Sequence, residues 1–319
     1  MEKIEASRKI SVIVPMFNEE ENVENTILQI TSVLNKFQDW ELIIVDDGSS
    51  DSTPMLVEKI AKRRSNIHLY RHPRNLGVGR ALRTGFSHAK GDIIVTIDAD
   101  LSYAPSEILT LIEKLDAEEA DVVLGSPYMK GGETVKVPFH RLIISKAGNY
   151  FLRFALNTNI RCLTSIFRAY RREVIDSLEL VSDGKEIEPE IVAKAIAMGF
   201  RVVEAPAKLR GRTRGRSKFK FGESVWLHLK FSLHERPMIL FSFVGLFIMF
   251  LGFLSGLDLV WKLYFEKEPI LRPMLILTVL LTIVGVQTII FGFLADQITL
   301  IRSELLRNRR EIRKRISSI

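Results

Sequence analysis

Gly91-Asp92-Ile93-Ile94-Val95-Thr96-Ile97-Asp98-Ala99-Asp100 is the stretch that decides the fold. An apolar, β-branched run of this length reads as a buried strand, and it ends in two carboxylates one residue apart. Alternate residues of an extended strand end point the same way, so Asp98 and Asp100 are expected to converge just beyond it. Two carboxylates held together repel unless a cation sits between them, and hard divalent cations take such oxygens. Asp-x-Asp alone is equally a solvated turn, and its surroundings must decide between the two.

Upstream, short apolar runs alternate with amphipathic stretches. Residues 10–15, 42–46 and 67–70 read as strands. Between the first two, residues 19–37 carry Val23, Ile27, Ile30, Val33, Leu34 and Phe37 at helical spacing. Asp51 is the expected N-cap of a second helix with Met55, Leu56, Ile60 and Ala61 on its apolar face, and residues 78–89 read as a third. Residues 93–97 supply a fourth strand, Pro105 opens the next helix as a first-turn proline, and 121–125 supply a fifth strand. This rhythm predicts an α/β domain with a mostly parallel sheet covered on both faces. Such sheets bind ligands beyond the carboxyl ends of their strands, where Asn18, Asp46, Asp47 and Asp98 fall. Residues 127–138 then read as loop, 139–156 and 189–198 as helices, and 200–205 as a strand.

At Pro237 the hydropathy changes. Residues 237–261 and 273–301 are almost continuously apolar, each longer than the roughly 20 residues that cross a bilayer, and both read as transmembrane helices. Gly245, Gly252, Gly256, Gly285 and Gly292 lie inside them; membrane helices tolerate glycine, and packing through it offers a route to a homo-oligomer. In residues 222–236, Val225, Trp226, Leu229 and Leu233 share one helical face, which fits a helix at the membrane surface. Basic clusters flank the spans, from Lys208 to Lys220 before the first and from Arg302 to Arg315 after the second. The positive-inside rule then places both termini and the α/β domain in the cytosol, at a prokaryotic plasma membrane or the endoplasmic reticulum. The expected organisation is an α/β domain over 1–220, an interfacial helix over 221–236, a transmembrane hairpin over 237–301 and a basic tail over 302–319. The net charge of +7 is concentrated around the spans and lacks an RNA-binding signature, so membrane lipid or phosphate is the expected partner and nucleic acid is not. A lone Cys162 excludes an internal disulfide framework and fits a reducing compartment, and the charged start, residues 1–9, predicts no cleavable signal.

Five pieces line up in order: Pro15-Met16-Phe17-Asn18-Glu19, Val45-Asp46-Asp47-Gly48-Ser49, the stretch from Arg74 to Asp92, Asp98-Ala99-Asp100-Leu101-Ser102, and Arg212-Thr213-Arg214-Gly215-Arg216-Ser217-Lys218. Asp46 and Asp47 end a strand in a Gly-Ser turn, where a carboxylate can accept hydrogen bonds from a base N–H or ribose hydroxyls; loop capping is the alternative, for Asp46 above all. Asn75-Leu76-Gly77-Val78-Gly79 invites a dinucleotide reading, but Leu82 occupies the last glycine position of that fingerprint. The arginines of residues 212–218 offer planar forks to phosphate oxygens, or form a juxtamembrane stripe attracted to anionic lipid.

Together the pieces resemble the family-2 glycosyltransferases with a GT-A (Rossmann-like) fold, nearest in pattern to the dolichol-phosphate mannose synthases and other polyprenyl-phosphate glycosyltransferases, over roughly residues 8–220. The resemblance assigns Pro15, Phe17, Glu19, Val45 and Asp47 to a nucleotide pocket, completed by Asp98, Ala99, Arg212, Ser217 and Lys218. It implies Mg²⁺ or Mn²⁺ on Asp98 and Asp100, with Ser102 close by, neutralising charge on a leaving nucleoside diphosphate. It explains Gly77, Gly79, Gly85 and Gly91 as a tight turn and close helix packing. Two departures stand out. Pro127 replaces a usual arginine, and Cys162-Leu163-Thr164-Ser165-Ile166-Phe167-Arg168 replaces Asp-x-Thr-Ser-Gly-Phe-Arg, where donor sugar or acceptor should approach. Arg141 and Arg168 remain as cations for an acceptor phosphate. Glu186-Ile187-Glu188-Pro189-Glu190 begins a helix, where acidic residues favour the dipole. A hydroxyl acceptor would need a base, with Glu188 or Glu190 the candidate; a lipid phosphate is already ionised and needs none.

The expected function is metal-dependent, inverting transfer of a sugar, mannose from GDP-mannose by resemblance, onto a polyprenyl (dolichyl) phosphate at the cytosolic membrane face. Two other readings stay open. One keeps the donor chemistry and changes the acceptor to a hydroxyl of a lipid-linked saccharide or growing glycan. The other is a non-catalytic membrane adaptor, against which the intact Asp98, Asp100 and Arg212 argue.

Overall fold

The computed structural model describes residues 8–211, 237–266 and 272–317, which fall into an α/β unit and a pair of long helices. The α/β unit opens with β1 (Ile10–Met16), α1 (Val23–Leu34), β2 (Trp40–Asp46), α2 (Thr53–Ala61), β3 (Ile67–Arg71), α3 (Val78–His88), β4 (Ile93–Thr96) and α4 (Ile108–Ala117). It continues with β5 (Val122–Ser126), β6 (Glu133–Val135), α5 (Phe139–Leu156), β7 (Arg168–Arg171), α6 (Arg172–Ser177), α7 (Ile187–Ala197), β8 (Val202–Pro206) and β9 (Lys208–Arg210). Seven strands form one sheet in the order β3-β2-β1-β4-β7-β5-β8, and β6 pairs with β9 in a second. The large sheet is parallel except for β7, which runs antiparallel to both β4 and β5.

β1 is buried on both faces, which is what its mostly apolar run requires; its one polar residue, Ser11, donates to Glu41 of β2 at 2.6 Å. Ile10, Val12, Val14 and Met16 join one core cluster with Ile27, Ile30 and Leu34 of α1 and Ile108, Leu111 and Leu115 of α4. Ile13 points the other way, toward α3, where a Cβ on Gly85 would come within 2.4 Å of its Cγ2. Because β1 pairs with β2 on one side and β4 on the other, the chain order reverses there and the carboxyl ends of β1 and β4 flank a crevice.

The expected strands and helices are present, with instructive differences. Helix α1 begins only at Val23, because residues 19–22 form a turn (Asn22 N–H to Glu19 O, 2.8 Å). Asp51 accepts the Thr53 N–H at 3.0 Å, one residue outside the N-cap position at Ser52. Pro105 opens a 3₁₀ turn that leads into α4. β7 was not anticipated: Arg-Ala-Tyr-Arg has no strand-like apolar run, and only its sheet neighbours bury Ala169 and Tyr170. Nor was the β6–β9 pair, in and beyond a stretch read as loop.

The long helices are α8 (Pro237–Trp261), continued by a π-helical segment (Lys262–Glu266), and α9 (Arg272–Ser317), which belongs to the second unit as far as Arg309. Pro237–Phe265 and Arg272–Ile301 are each long and apolar enough to cross a membrane, with only 11% and 6% of their most apolar windows buried within the chain. α9 continues to Ser317, so most of the residues read as a basic tail are helical. The helices pack through their small residues: a Cβ on Gly245 would lie 2.7 Å from Gly285 O, and Ser255 Oγ and Thr278 Oγ1 are 2.8 Å apart. Each of Gly245, Gly252, Gly256, Gly285 and Gly292 meets atoms of the other helix within 3.4 Å of its missing Cβ. The glycines thus serve the packing of the pair itself. Arg212, Ser217 and Lys218 and the amphipathic segment 222–236 lie outside the described residues.

Candidate active site

The loops after β1 and β2 interlock at the carboxyl edge of the sheet. Asn18 donates its N–H to Ser49 Oγ and accepts the Ser50 N–H, each at 2.8 Å, and the Glu19 N–H donates to Thr53 Oγ1 at 2.8 Å. Asn18 holds a left-handed φ of 49°, a conformation asparagine tolerates better than most residues. Of the residues assigned to a nucleotide pocket, Pro15, Phe17 and Glu19 are partly exposed here, whereas Val45 is fully buried. Asp47 is 3% exposed, and its carboxylate accepts the Leu76 and Gly77 N–H groups at 2.9 Å and contacts His72 Nδ1 at 2.7 Å. Loop capping, expected for Asp46 above all, is done by both residues: Asp47 caps the turn ahead of α3, and Asp46 caps its own. Asp46 accepts the Ser49 N–H through Oδ1, while Arg71 Nε sits 3.2 Å from Oδ2 without hydrogen-bond alignment.

Gly77 and Gly79 cradle no phosphate, because protein already fills the space against them. A Cβ on Gly79 would lie 2.6 Å from the carbonyl oxygens of Ser182 and Gly184, and the Arg80 N–H donates to Asp183 O at 3.1 Å. The segment before α7 thus packs against the start of α3, which removes the dinucleotide reading and leaves the close-packing one.

Asp98 and Asp100 line one cavity, though not as alternate residues of a strand. β4 ends at Thr96, and residues 98–101 turn back with the Leu101 N–H on Asp98 O at 3.3 Å and Leu101 at φ 52°. Ala99 is buried, its carbonyl accepting the Thr26 hydroxyl at 2.6 Å. Ser102 donates to Asp100 Oδ1 through both its hydroxyl (2.6 Å) and its N–H (3.0 Å), so it orients that carboxylate. Its own carbonyl accepts the Arg210 N–H at 2.8 Å, tying β9 to the turn. Among the described residues no group of three or more His, Cys, Asp or Glu forms around the pair. Such a donor set fits Mg²⁺ or Mn²⁺, hard ions that take one or two carboxylates and complete their shell with water and substrate phosphate.

Both carboxylates line a cavity of about 570 Å³, together with Ser102, Arg141 and Glu188. Three further cations line it that were not singled out for this role: Lys136, Lys185 and Arg210. Lys136 follows β6 and Arg210 ends β9, opposite Val135, so no local pattern announces them. Helix α5 contributes Arg141 and Ser145, whose hydroxyl accepts the Tyr128 phenol at 2.8 Å.

The structure separates the remaining candidates. Arg168 does not face the cavity: it is 1% exposed, and its guanidinium donates to the backbone carbonyls of Ser165 (2.5 Å), Glu188 (2.6 Å) and Leu163 (2.7 Å). It braces the altered 162–168 segment against α7 and is not available to an acceptor phosphate. Glu190 is likewise spent, accepting the Val181 and Ser182 N–H groups at 2.9 Å and pairing with Lys194. Glu188 is 8% exposed and lines the cavity. Burial pushes its carboxyl up to about 7, against the pull of Arg168 and Lys185, with Glu186 adding to the rise. Cys162, at the position where an aspartate was expected, is also in the wall; burial pushes its thiol up to about 12.

The pattern of glycosyl transferase family 2 matches residues 11–179. The dolichol-phosphate mannosyltransferase of Pyrococcus furiosus is 35% identical over 224 residues, covering 70% of this chain and 62% of that protein. The undecaprenyl-phosphate 4-deoxy-4-formamido-L-arabinose transferase of an Enterobacter species is 32% identical over 324 residues, covering all of this chain and 96% of its own. Among solved structures, glucosyl-3-phosphoglycerate synthase from Mycobacterium tuberculosis, in complex with Mn²⁺, UDP-glucose and phosphoglyceric acid, superposes with a TM-score of 0.57 at 22% identity, covering 72% of this chain and 80% of its own. With this sheet order, the carboxylate pair at the end of β4 and the match over residues 11–179, the chain is a GT-A-fold enzyme that belongs to family 2 of the glycosyl transferases.

Proposed function

We propose that the chain transfers a hexose from a sugar nucleotide to a polyprenyl phosphate at the cytosolic face of a membrane. One observation carries the reading: a single cavity joins two carboxylates, Asp98 and Asp100, to four cations, Lys136, Arg141, Lys185 and Arg210. When bound at the pair, Mg²⁺ or Mn²⁺ would supply Lewis-acid neutralisation of the leaving diphosphate. The cations suit a second anion, the acceptor phosphate. The relatives' names point the same way, since they include a polyprenol monophosphomannose synthase of Mycolicibacterium smegmatis, 34% identical over 222 residues. GDP-mannose is the favoured donor on the mannosyl relatives, with UDP-sugars the alternative.

In this reaction an acceptor phosphate oxygen forms a bond to the anomeric carbon as the carbon–diphosphate bond breaks on the opposite side. Configuration inverts, the nucleoside diphosphate leaves, and no protein nucleophile is required. The chain's own residues position the partners and offset their charge. Ser102 orients Asp100, Arg141 and Lys185 hold the acceptor phosphate, and Arg212, Ser217 and Lys218 grip the donor. The long helices would anchor the enzyme in the bilayer, with residues 221–236 at its surface and both termini cytosolic.

The test incubates the full chain in detergent or nanodiscs with Mg²⁺ or Mn²⁺, GDP-mannose or UDP-sugars, and either polyprenyl phosphate or a lipid-linked saccharide. Mass spectrometry of the lipid should find a polyprenyl-phosphate hexose. Transfer to the saccharide alone would favour the second reading, a hydroxyl acceptor with Glu188 as base, which the cavity position of that carboxylate motivates.

A further inference from the structure

Glu188 is a carboxylate the phosphate-acceptor reaction does not call for. It is 8% exposed in the cavity wall, where Arg168 and Lys185 act on it by charge, and its oxygens are not among the described atoms that are fully buried without a partner, so they reach the cavity space. Arg168 of β7, the cation that pulls on it most, gives three of its N–H groups to backbone carbonyls. A carboxylate in so poorly solvated a wall is normally paired or hydrogen-bonded, so this one takes a proton or a ligand from the cavity side.

Its surroundings set which. The cavity already holds Asp98 and Asp100, and would take a diphosphate and an acceptor phosphate besides. An ionised Glu188 would add a third carboxylate to that crowd. A protonated one would add a donor aimed into it.

Resting on the polyprenyl-phosphate reading, we infer that Glu188 works in its protonated form, donating a hydrogen bond to an acceptor phosphate oxygen, and not as a proton-abstracting base. A carboxylic acid kept neutral in a poorly solvated site can serve as such a donor. The groups facing it are Arg168 and Tyr170 from β7, Lys185 and Glu186 ahead of α7, and Cys162 from the altered segment. Burial outweighs the two cations and lifts the carboxyl to about 7. Cys162, lifted to about 12, stays neutral throughout this range, so Glu188 is the acid on this side of the cavity whose charge changes.

The decisive measurement is the pH dependence of kcat/KM for polyprenyl phosphate, with donor and Mn²⁺ saturating, in wild type, Glu188→Gln and Glu188→Ala. A group titrating at about 7 is protonated in roughly three quarters of molecules at pH 6.5 and in about one in thirty at pH 8.5. Relative to Glu188→Gln, whose amide still donates but does not titrate, wild-type kcat/KM should therefore fall about twentyfold across that interval. Glu188→Ala should raise the acceptor KM roughly tenfold or more at pH 6.5, with a smaller effect on kcat. In the free protein, a protonated-carboxyl infrared band titrating near pH 7 should vanish in Glu188→Gln.

Wild-type activity that rises with pH, with a Gln variant about a hundredfold or more weaker throughout, would assign a base and overturn the inference. Parallel profiles in wild type and Gln would overturn it too. If wild type binds donor but makes no polyprenyl-phosphate product, the acceptor assignment fails, and this inference falls with it.

Discussion

Replacing Glu188 by Gln should stabilise the folded chain, and by an amount that grows with pH. The carboxyl titrates at about 7 in the folded protein against 4.5 ordinarily, because burial opposes its charge. The folded state therefore binds the proton more tightly than the unfolded state, and stability declines as pH rises from about 4.5 to about 7 and then levels off. At roughly 1.4 kcal/mol per pH unit, the shift from 4.5 to about 7 is worth about 3 kcal/mol above pH 8 and only about 1 kcal/mol at pH 5. Gln keeps the volume and never ionises, so it escapes that penalty. The stability gap between Glu188→Gln and wild type should widen by about 2 kcal/mol between pH 5 and pH 8.5, or roughly 4–8 °C in midpoint for a unit of this size. The assay is thermal or urea unfolding of both full-length proteins in detergent at the two pH values, followed by near-UV circular dichroism. Comparing the variants at each pH cancels every other titrating group. A gap that stays constant or narrows would refute the claim that burial outweighs the neighbouring cations at position 188.

Three further outcomes are expected. Asp98→Asn should lower transfer by about a hundredfold or more while leaving the unfolding midpoint within about 2 °C of wild type; a fully active variant would remove Asp98 from the reacting centre. Arg168→Lys should destabilise by about 2–4 kcal/mol, because an ammonium cannot reach the Ser165, Glu188 and Leu163 carbonyls together, and an unchanged denaturation midpoint would contradict the bracing role. Cys162 should resist iodoacetamide at pH 8 until the chain is unfolded, since its thiol is buried and held near 12; rapid alkylation of the folded protein would count against that environment.

Strands β1, β2 and β4 were legible because a strand buried on both faces is mostly apolar, its few polar residues such as Ser11 and Glu41 bonding to one another. Helix α5 was legible to its ends at Phe139–Leu156, and Asp98 with Asp100 by residue chemistry alone. β7 was not, since Arg-Ala-Tyr-Arg becomes a strand only when β4 and β5 supply its hydrogen bonds. The cations Lys136 and Arg210 were hidden for a similar reason: the pairing that brings them to the cavity joins strands more than seventy residues apart.

The candidate site shows the same division more sharply. By itself the sequence determined the family, the acidic pair and the apolar helices, because periodicity and short motifs are local properties of a chain. It named Glu188 with Glu190, and Arg141 with Arg168, without separating the members of either pair. Only the tertiary structure did so, turning Glu190 to the Val181–Ser182 backbone and Arg168 to three carbonyls while leaving Glu188 and Arg141 in the cavity wall. The physical reason is that a buried polar side chain must find a partner, and which backbone groups lie within reach is decided by segments distant in sequence.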